Sequence, residues 1–136
     1  KCLSPAGSMC GPDAAVGGET KRYESADVVA IPDNDAAGIS SVIDVPDDAG
    51  ALSVTVELRI THSYVGDLLV ILEHDGAEVT LWDKSGGMTA NLNETIVLDN
   101  FNGKLATGAW TLKVVDTYAQ DTGTLDSWAL DIVMAE

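Results

Sequence analysis

A strict alternation of apolar and polar residues near the middle of the chain is the feature that most limits its fold. Every second position carries a large apolar side chain, in the order Leu52, Val54, Val56, Leu58 and Ile60. Neighbouring side chains of a β-strand point to opposite faces, so this pattern places all five on one face. Such a face has to be covered, which predicts a second layer of structure packed against this strand.

A continuous apolar run at 68–72 supplies a candidate for that layer. An unbroken run of this length is typical of a strand that is buried on both sides. The polar connection at 61–67 contains one glycine and separates this run from the alternating strand. We therefore expect the two strands to form the centre of a β-sandwich.

The rest of the chain is divided by turn-forming sequences at short intervals. Pro32-Asp33-Asn34 and Asp75-Gly76 are typical turn and hairpin sequences. The segments between the turns predict about eight strands, near 23–31, 39–45, 52–60, 68–72, 77–82, 95–98, 109–115 and 125–134. Residues 86–93 are expected to be loop, and 95–98 a short edge strand. The fold class expected is all-β, a two-sheet antiparallel β-sandwich of jelly-roll type.

The charge of the chain excludes one class of partner. Its 22 acidic and 7 basic residues give a formal net charge of -15. Phosphate binding needs clustered Lys and Arg, so we expect no nucleic-acid partner. No stretch approaches the roughly 18 apolar residues of a membrane span. Two explanations of the acidity stay open, a solvated surface that preserves solubility and a surface that collects divalent cations.

Residues 1–22 have the composition of a linker that is rich in Gly, Pro and Ser, with the folded domain expected at 23–136. Cys2 and Cys10 lie in this linker, at a spacing that does not fit a CxxC redox or zinc motif. We expect them to form a short-range disulfide in a secreted or extracellular protein. We also expect the chain to be a mature product or a fragment of a longer one.

Several blocks of the chain form a recognisable series. They are the strand-and-connection segment at 60–72, the G-x-W-x-L strand at 108–116, the D-x-G-x-L-x-x-W hairpin at 121–130, and shorter blocks at 31–34 and 38–41. The series resembles the P domain, also called Homo B, which follows the catalytic domain in kexin and furin-like convertases and in many secreted bacterial proteases. The match runs from about residue 29 to about residue 132. The sequence departs from several convertases at Val65, where they have the Arg of Arg-Gly-Asp.

The resemblance implies a non-catalytic domain that packs beside a subtilisin-like, or sometimes metallopeptidase, catalytic domain of the same parent chain. Such a domain supports the folding, stability and calcium or pH dependence of the protease. The alternative is a free-standing, calcium-dependent binding or adhesion module for an extracellular polymer. Tyr64, Tyr118 and Trp82 are the side chains expected to contact that polymer, although tryptophans in strands more often pack within a sandwich.

The chain itself is not expected to be an enzyme. Its only histidines are His62 and His74, and it contains no G-x-S-x-G, H-E-x-x-H or glycine-rich phosphate motif. His62 and Ser63 are adjacent, so on an extended segment they point to opposite faces and do not suit a catalytic triad. We expect His62 to lie at a strand end and to hydrogen-bond the backbone.

Calcium is the cofactor that the sequence favours. It binds several oxygen ligands, and aspartates in loops supply them together with backbone carbonyls. Asp67, Asp116 and Asp121 lie at strand ends that could meet at one rim of the sandwich, unless they merely cap turns. Asp33, Asp35 and Gly38 match positions one, three and six of an EF-hand loop. Ala37 stands where a third ligand belongs and the flanking segments are strands, which favours a turn.

Overall fold

The computed structural model describes residues 19–135, and these form an all-β fold. The strands are β1 (Thr20–Ser25), β2 (Val29–Ile31), β3 (Asp35–Val45), β4 (Ala51–His62), β5 (Leu68–His74), β6 (Ala77–Asp83), β7 (Leu92–Leu98), β8 (Gly108–Asp116) and β9 (Gly123–Met134). A single turn of 3-10 helix, Val65–Asp67, joins β4 to β5. Residues 1–18 of the predicted linker, and with them the proposed Cys2–Cys10 disulfide, lie outside the described residues. Residues 20–22 of that predicted linker belong to β1.

The strands form two antiparallel sheets that face each other. The five-stranded sheet has the order β1-β9-β4-β7, with β2 also paired to β9, and the four-stranded sheet has the order β3-β8-β5-β6. If β1 and β2 are taken as one interrupted strand, each sheet holds four strands in the connectivity of a jelly roll. The predicted β-sandwich is confirmed.

Strand β4 lies at the centre of the five-stranded sheet, between β9 and β7. From position 54 onward the predicted inner face is confirmed. The side chains on this face are each at most 1% exposed: Val54, Val56, Leu58 and Ile60. The prediction for Leu52 was wrong, since its side chain is 38% exposed. A register shift against β9 between Ala51 and Ser53 moves Leu52 off the inner face.

Strand β5 was predicted to be buried on both faces, and this was wrong. Leu68, Val70 and Leu72 point into the core, whereas Leu69 and Ile71 on the other face are half-buried. The outer face of the four-stranded sheet has no layer packed over it in the described part of the chain. The strand therefore alternates like β4, with apolar residues on both sides.

The number and bounds of the strands differ in detail from the prediction. The segment predicted as one strand at 23–31 is broken into β1 and β2, since β1 pairs Ser25 with Trp128 while β2 pairs Val29 with Leu125. One extra residue therefore stands opposite β9 at the break, which gives nine strands instead of eight. Strand β7 is an edge strand as predicted, but it begins at Leu92, within the segment expected to be loop.

Two of the three tryptophans pack in the core, as the commoner interpretation predicted. Trp110 and Trp128 are buried, and each indole N–H finds an acceptor. The Trp128 indole donates to Ser41 Oγ at 2.9 Å, which links the two sheets. The Trp110 indole donates to the Ala106 carbonyl at 2.9 Å, which holds the β7–β8 connection against the core.

Replacing Leu58 by Ala should lower the free energy of unfolding by about 2 to 5 kcal/mol, because it leaves a cavity at the centre of the core. Val97→Ala is the matched control, since Val97 lies in the neighbouring strand of the same sheet and is 73% exposed. Its cost should stay within about 1 kcal/mol. Urea unfolding followed by tryptophan fluorescence measures both, and equal losses would contradict the assigned faces.

Candidate functional site: an acidic rim

Polar and acidic side chains gather at one end of the sandwich, where β4 and β8 end and the following loops begin. We define the acidic rim as four aspartates with a histidine and a serine: Asp33, Asp67, Asp116, Asp121, His62 and Ser63. Asp67 closes the 3-10 turn before β5, and the loop at 117–122 carries Asp121. The backbone N–H and the Oγ1 hydroxyl of Thr117 both donate to the Asp67 carbonyl, at 2.8 and 2.7 Å, which ties this loop to the turn.

A buried hydrogen bond between His62 and Asp116 forms the floor of the acidic rim. His62 Nε2 lies 2.9 Å from Asp116 Oδ2, and both side chains are fully buried. The other carboxylate oxygen of Asp116 accepts the Tyr118 backbone N–H at 3.1 Å. The bond joins β4 of one sheet to β8 of the other, so it fixes the separation of the two sheets at this end.

The partners of the His62 ring define its tautomer. Nδ1 accepts the backbone N–H of Tyr64 at 3.0 Å, so this nitrogen carries no proton. Nε2 must then carry the proton and donate it to Asp116. The predicted backbone hydrogen bond of His62 is present, and the bond to Asp116 is an addition that we had not predicted.

Glycine at position 123 allows β9 to approach His62 closely. A Cβ atom at this position would lie 2.0 Å from the Thr61 carbonyl oxygen and 2.8 Å from His62 Cα. Gly123 is the register partner of His62 in the β4–β9 pairing. Any larger residue would push the two strands apart beside the acidic rim, which explains the glycine of the D-x-G-x-L-x-x-W hairpin.

Asp67 is the unusual carboxylate of the acidic rim. It is 5% exposed, and its carboxylate makes no hydrogen bond within residues 19–135. Its burial, and then the negative charges of Asp116, Asp121 and Asp33, raise the pKa of Asp67 above its ordinary value of 3.8. An ionised Asp67 is therefore held at a cost to stability.

The structure brings most of the predicted calcium ligands to this one end. Asp121 Oδ1 accepts the Ser63 hydroxyl at 2.8 Å, and both oxygens of Asp33 lie 3.1 Å from the Gln120 backbone nitrogen. The two predicted acidic sites therefore meet, since Asp33 contributes to the field at Asp67. Asp35 begins β3 at the same end, as the register partner of Asp116, but its Oδ1 accepts the Ala37 N–H at 2.9 Å in a local hydrogen bond.

The donor chemistry of the acidic rim suits a hard cation, but its side chains do not form a ready cage. Among residues 19–135, no group of three or more His, Cys, Asp or Glu side chains is placed to hold a metal ion. The His62, Tyr118 and Ser63 hydrogen bonds already use three oxygens of Asp116 and Asp121. Both oxygens of Asp67 and Oδ2 of Asp121 have no hydrogen-bond partner in the described part of the chain.

The geometry does not support a catalytic triad. Both nitrogens of His62 are occupied, and neither partner is a hydroxyl. Ser63 Oγ donates to Asp121 and makes no bond to His62. The His62 side chain is also fully buried, so a substrate could not reach it.

The three aromatic side chains predicted to bind a polymer lie near the same end. Tyr118 is 58% exposed and follows Asp116 closely in the β8–β9 loop. Tyr64 is half-buried and lies beside Gly66. Trp82 is half-buried, and its indole N–H donates to the Val65 carbonyl at 3.0 Å, so it anchors the 3-10 turn.

The comparisons with known proteins identify the family. The model of the proprotein convertase P-domain family matches residues 51–132. The chain belongs to this family. The matched segment begins with β4 and includes most of β9, so it contains every residue of the acidic rim except Asp33.

Two relatives of this P domain are named as proteases, and a third is named as a leupeptin-inactivating enzyme. Leupeptin-inactivating enzyme 1 of Streptomyces exfoliatus is 39% identical over 81% of this chain and 26% of its own length. The transglutaminase-activating metalloprotease of Streptomyces mobaraensis is 34% identical over 79% of this chain and 14% of its own length. A calcium-dependent protease of Nostoc sp. is 32% identical over 59% of this chain and 14% of its own length. The chain therefore spans about a quarter or less of these relatives.

A solved structure has the same fold as this P domain. The serine protease of Aeromonas sobria, in a complex with a chaperone, matches with a TM-score of 0.71 over 86% of this chain and 26% of that chain, at 18% identity. At this identity the match shows the fold alone. Residues 19–135 contain no helix that is long and apolar enough to cross a membrane.

Replacing His62 by Ala should lower the free energy of unfolding by about 3 kcal/mol, because it leaves the buried Asp116 with one of its two hydrogen-bond donors. Ser63→Ala is the matched control, since it removes an exposed hydroxyl from the next residue. Its cost should be about 1 kcal/mol or less. Chemical unfolding of both variants at pH 7 measures the difference, and a His62 loss no larger than the Ser63 loss would refute the structural role of this bond.

Replacing Asp67 by Asn should stabilise the domain at pH 7 in the presence of EDTA, by roughly 1 kcal/mol. Because the pKa of Asp67 is raised in the folded state, its favourable contribution is present below its unfolded pKa and is lost as the pH rises through the folded pKa. The advantage of Asn should therefore shrink as the pH is lowered toward 3.8. Melting curves across this range test it against Asp44→Asn, an exposed control on β3. An Asp67→Asn variant that is less stable than the wild-type domain at pH 7 would contradict the assigned cost.

Proposed function

We propose that this chain is the accessory, non-catalytic P domain of a secreted protease, and that it supports the folding and stability of a catalytic domain in the same polypeptide. The observation that carries the proposal is the family match at 51–132, combined with two relatives that are named as proteases. These relatives are several times longer than this chain, so they have room for a separate catalytic domain.

The mechanism is differential binding between two domains. An interface that forms only with the folded catalytic domain stabilises that state by mass action. Attachment in one polypeptide keeps the effective concentration of the P domain high, so even a weak interface is occupied. The burial of both histidines within this domain supports the absence of a catalytic role here.

The parent enzyme is proposed to be a subtilisin-like serine endopeptidase, with a metallopeptidase as the alternative. The fold match to a serine protease supports the first, and the relative named as a metalloprotease keeps the second open. Two reagents separate these classes. A fluorophosphonate should label the parent only if it is a serine enzyme, because the reagent reacts with an activated serine. A zinc chelator should inhibit the parent only if it is a metallopeptidase.

Export fits the chemistry of the chain. A net charge of -15 favours the solubility of an exported domain. The Cys2–Cys10 pair would form a disulfide only in an oxidising compartment. We therefore propose that the parent protease acts outside the cell, with the first residues of this chain as its linker.

We further propose that the acidic rim binds calcium. Asp67 and Asp121 would supply the carboxylate oxygens, Asp116 would add charge, and backbone carbonyls or water would complete the coordination. A cation here would offset the cost of the buried, ionised Asp67. With few side-chain ligands the site would be weak, with a Kd of about 1 mM, the range of extracellular modules.

Calcium at 10 mM should then stabilise the domain by about 1.4 kcal/mol, since the gain is RT ln(1 + [L]/Kd). In a domain of this size the Tm should rise by about 4 to 6 °C relative to EDTA. Asp67→Asn should abolish most of the rise, while Glu78→Gln, on the exposed edge strand β6, should retain it. Magnesium at matched ionic strength controls for screening of the acidic surface. An equal rise in both variants, or with magnesium, would mean that no calcium site exists at the acidic rim.

Removing the domain from the parent protease should lower the yield of active enzyme on refolding from urea by about tenfold or more, which corresponds to about 1.4 kcal/mol of lost coupling. Adding the isolated domain in trans should restore part of the yield. A catalytic domain that refolds equally well alone would contradict the accessory role. The alternative is tested on the same truncated protease. If the protease without this domain no longer binds insoluble collagen or polysaccharide, and Tyr118→Ala in the full parent also abolishes this binding, the domain is a binding module.

A further inference from the structure

The second histidine of the domain lies in the core at the end of the sandwich opposite the acidic rim. His74 ends β5, and its side chain is 2% exposed. Its ring stacks face to face on Trp110, with ring centroids 3.8 Å apart and planes inclined by 2°. Phe101 packs against it at 6.0 Å in an edge-to-face arrangement.

Both ring nitrogens of His74 face backbone carbonyl oxygens. Nδ1 lies 2.8 Å from the Ala109 oxygen, and Nε2 lies 2.8 Å from the Leu105 oxygen. A carbonyl oxygen can only accept a hydrogen bond, whereas a neutral imidazole has one N–H and one lone pair. In the neutral ring one lone pair would therefore point at a carbonyl lone pair at hydrogen-bond distance, which is repulsive.

We propose that His74 is an imidazolium, and that its second proton is a bound cation that locks the β7–β8 connection onto the four-stranded sheet. The face of Trp110 is a suitable surface for this charge, because the ring quadrupole attracts cations, most strongly where water is excluded. The two carbonyl dipoles complete the site. In this site two backbone carbonyl oxygens and the face of Trp110 stabilise the protonated form of the ring.

The contacts of the connection show what this proton holds in place. The connection is hydrogen-bonded to the segment at 49–51. The Ala51 N–H donates to the Lys104 carbonyl, and the Ala106 N–H donates to the Ala49 carbonyl, both at 2.8 Å. The Ala135 N–H then donates to the Gly50 carbonyl at 2.8 Å. Loss of the proton at His74 would therefore loosen the end of the domain where the described chain both begins and ends.

Among residues 19–135, no carboxylate is paired with the His74 ring, whose hydrogen-bond partners are both backbone carbonyls. The titratable side chains on the elements packed around the ring are Glu73 and Asp75 on its own strand and turn, Glu78 and Asp83 on β6, Asp99 and Lys104 in the β7–β8 connection, Asp47 and Asp48 in the β3–β4 connection, and Lys113 and Asp116 on β8. The hydrogen bonds of the His74 ring go to Leu105 and Ala109. A groove of about 480 Å³ beside this site is lined by His74, Glu73, Asp75 and Thr107, and the His74 side chain itself is buried.

Nitrogen-15 NMR of the two imidazole rings tests the proposal in the wild-type domain, with His62 as an internal control. At pH 7.5 an ordinary histidine is neutral. We expect both His74 nitrogens to be protonated at this pH, while His62 shows one protonated and one unprotonated nitrogen. One unprotonated nitrogen in His74 at pH 7.5 would overturn the proposal, and a His74→Gln variant assigns the signals.

The pH dependence of stability is the second measurement. Because the proposed imidazolium holds a proton that the unfolded chain releases near neutral pH, the Tm of the wild-type domain should fall as the pH is raised above 6. The Gln side chain of His74→Gln does not titrate, so this variant should lose the fall of Tm above pH 6. The change of its Tm at acidic pH, which depends on the acidic rim, should remain as in the wild-type domain. An unchanged alkaline slope in a folded His74→Gln variant would contradict the proposal. If this variant does not fold, the NMR measurement on the wild-type domain still tests the proposal.

Discussion

The hydrogen bond between His62 and Asp116 is the interaction on which the arrangement at one end of the domain depends. It lies where the apolar core stops, and it joins the central strand of one sheet to an inner strand of the other. A charged carboxylate in such a place is tolerated only because two donors point at it. The same histidine accepts the Tyr64 N–H at the start of the following turn, and Gly123 of β9 packs directly against it.

The sequence pattern predicts the sandwich because alternation defines the inner faces directly. It also held a signal for the buried polar groups that we had not used. His62 continues the series of Ile60, His74 continues that of Leu72, and Asp116 continues that of Val114, each as the last inward position of its strand. Extending the period of two by one step would have predicted that all three are buried.

Other features depend on contacts between distant strands and could not be read from the pattern. The exposure of Leu52 and the break between β1 and β2 both result from register shifts against β9. The convergence of Asp33 with Asp67 requires the loop at 117–122 to fold back onto the turn after β2. Calcium ligands were therefore predicted as two separate sets, although most of them lie at one rim.

The two ends of the domain are proposed to respond to different cations. At the acidic rim, an excess of negative charge around the buried Asp67 would be relieved by calcium. At the opposite end, a proton on His74 holds the connection between the sheets. The folded domain is therefore expected to be most stable where calcium is present and the pH is not alkaline. A protease whose stability depends on this domain would be most stable under the same conditions.

Calorimetry of the intact parent protease tests the central claim, that this domain stabilises a catalytic domain in the same chain. The catalytic domain should unfold at a higher temperature in the intact protein than in a version that lacks the P domain, with unfolding of the two domains coupled. Two independent transitions, with the catalytic one at the same temperature in both proteins, would contradict the account.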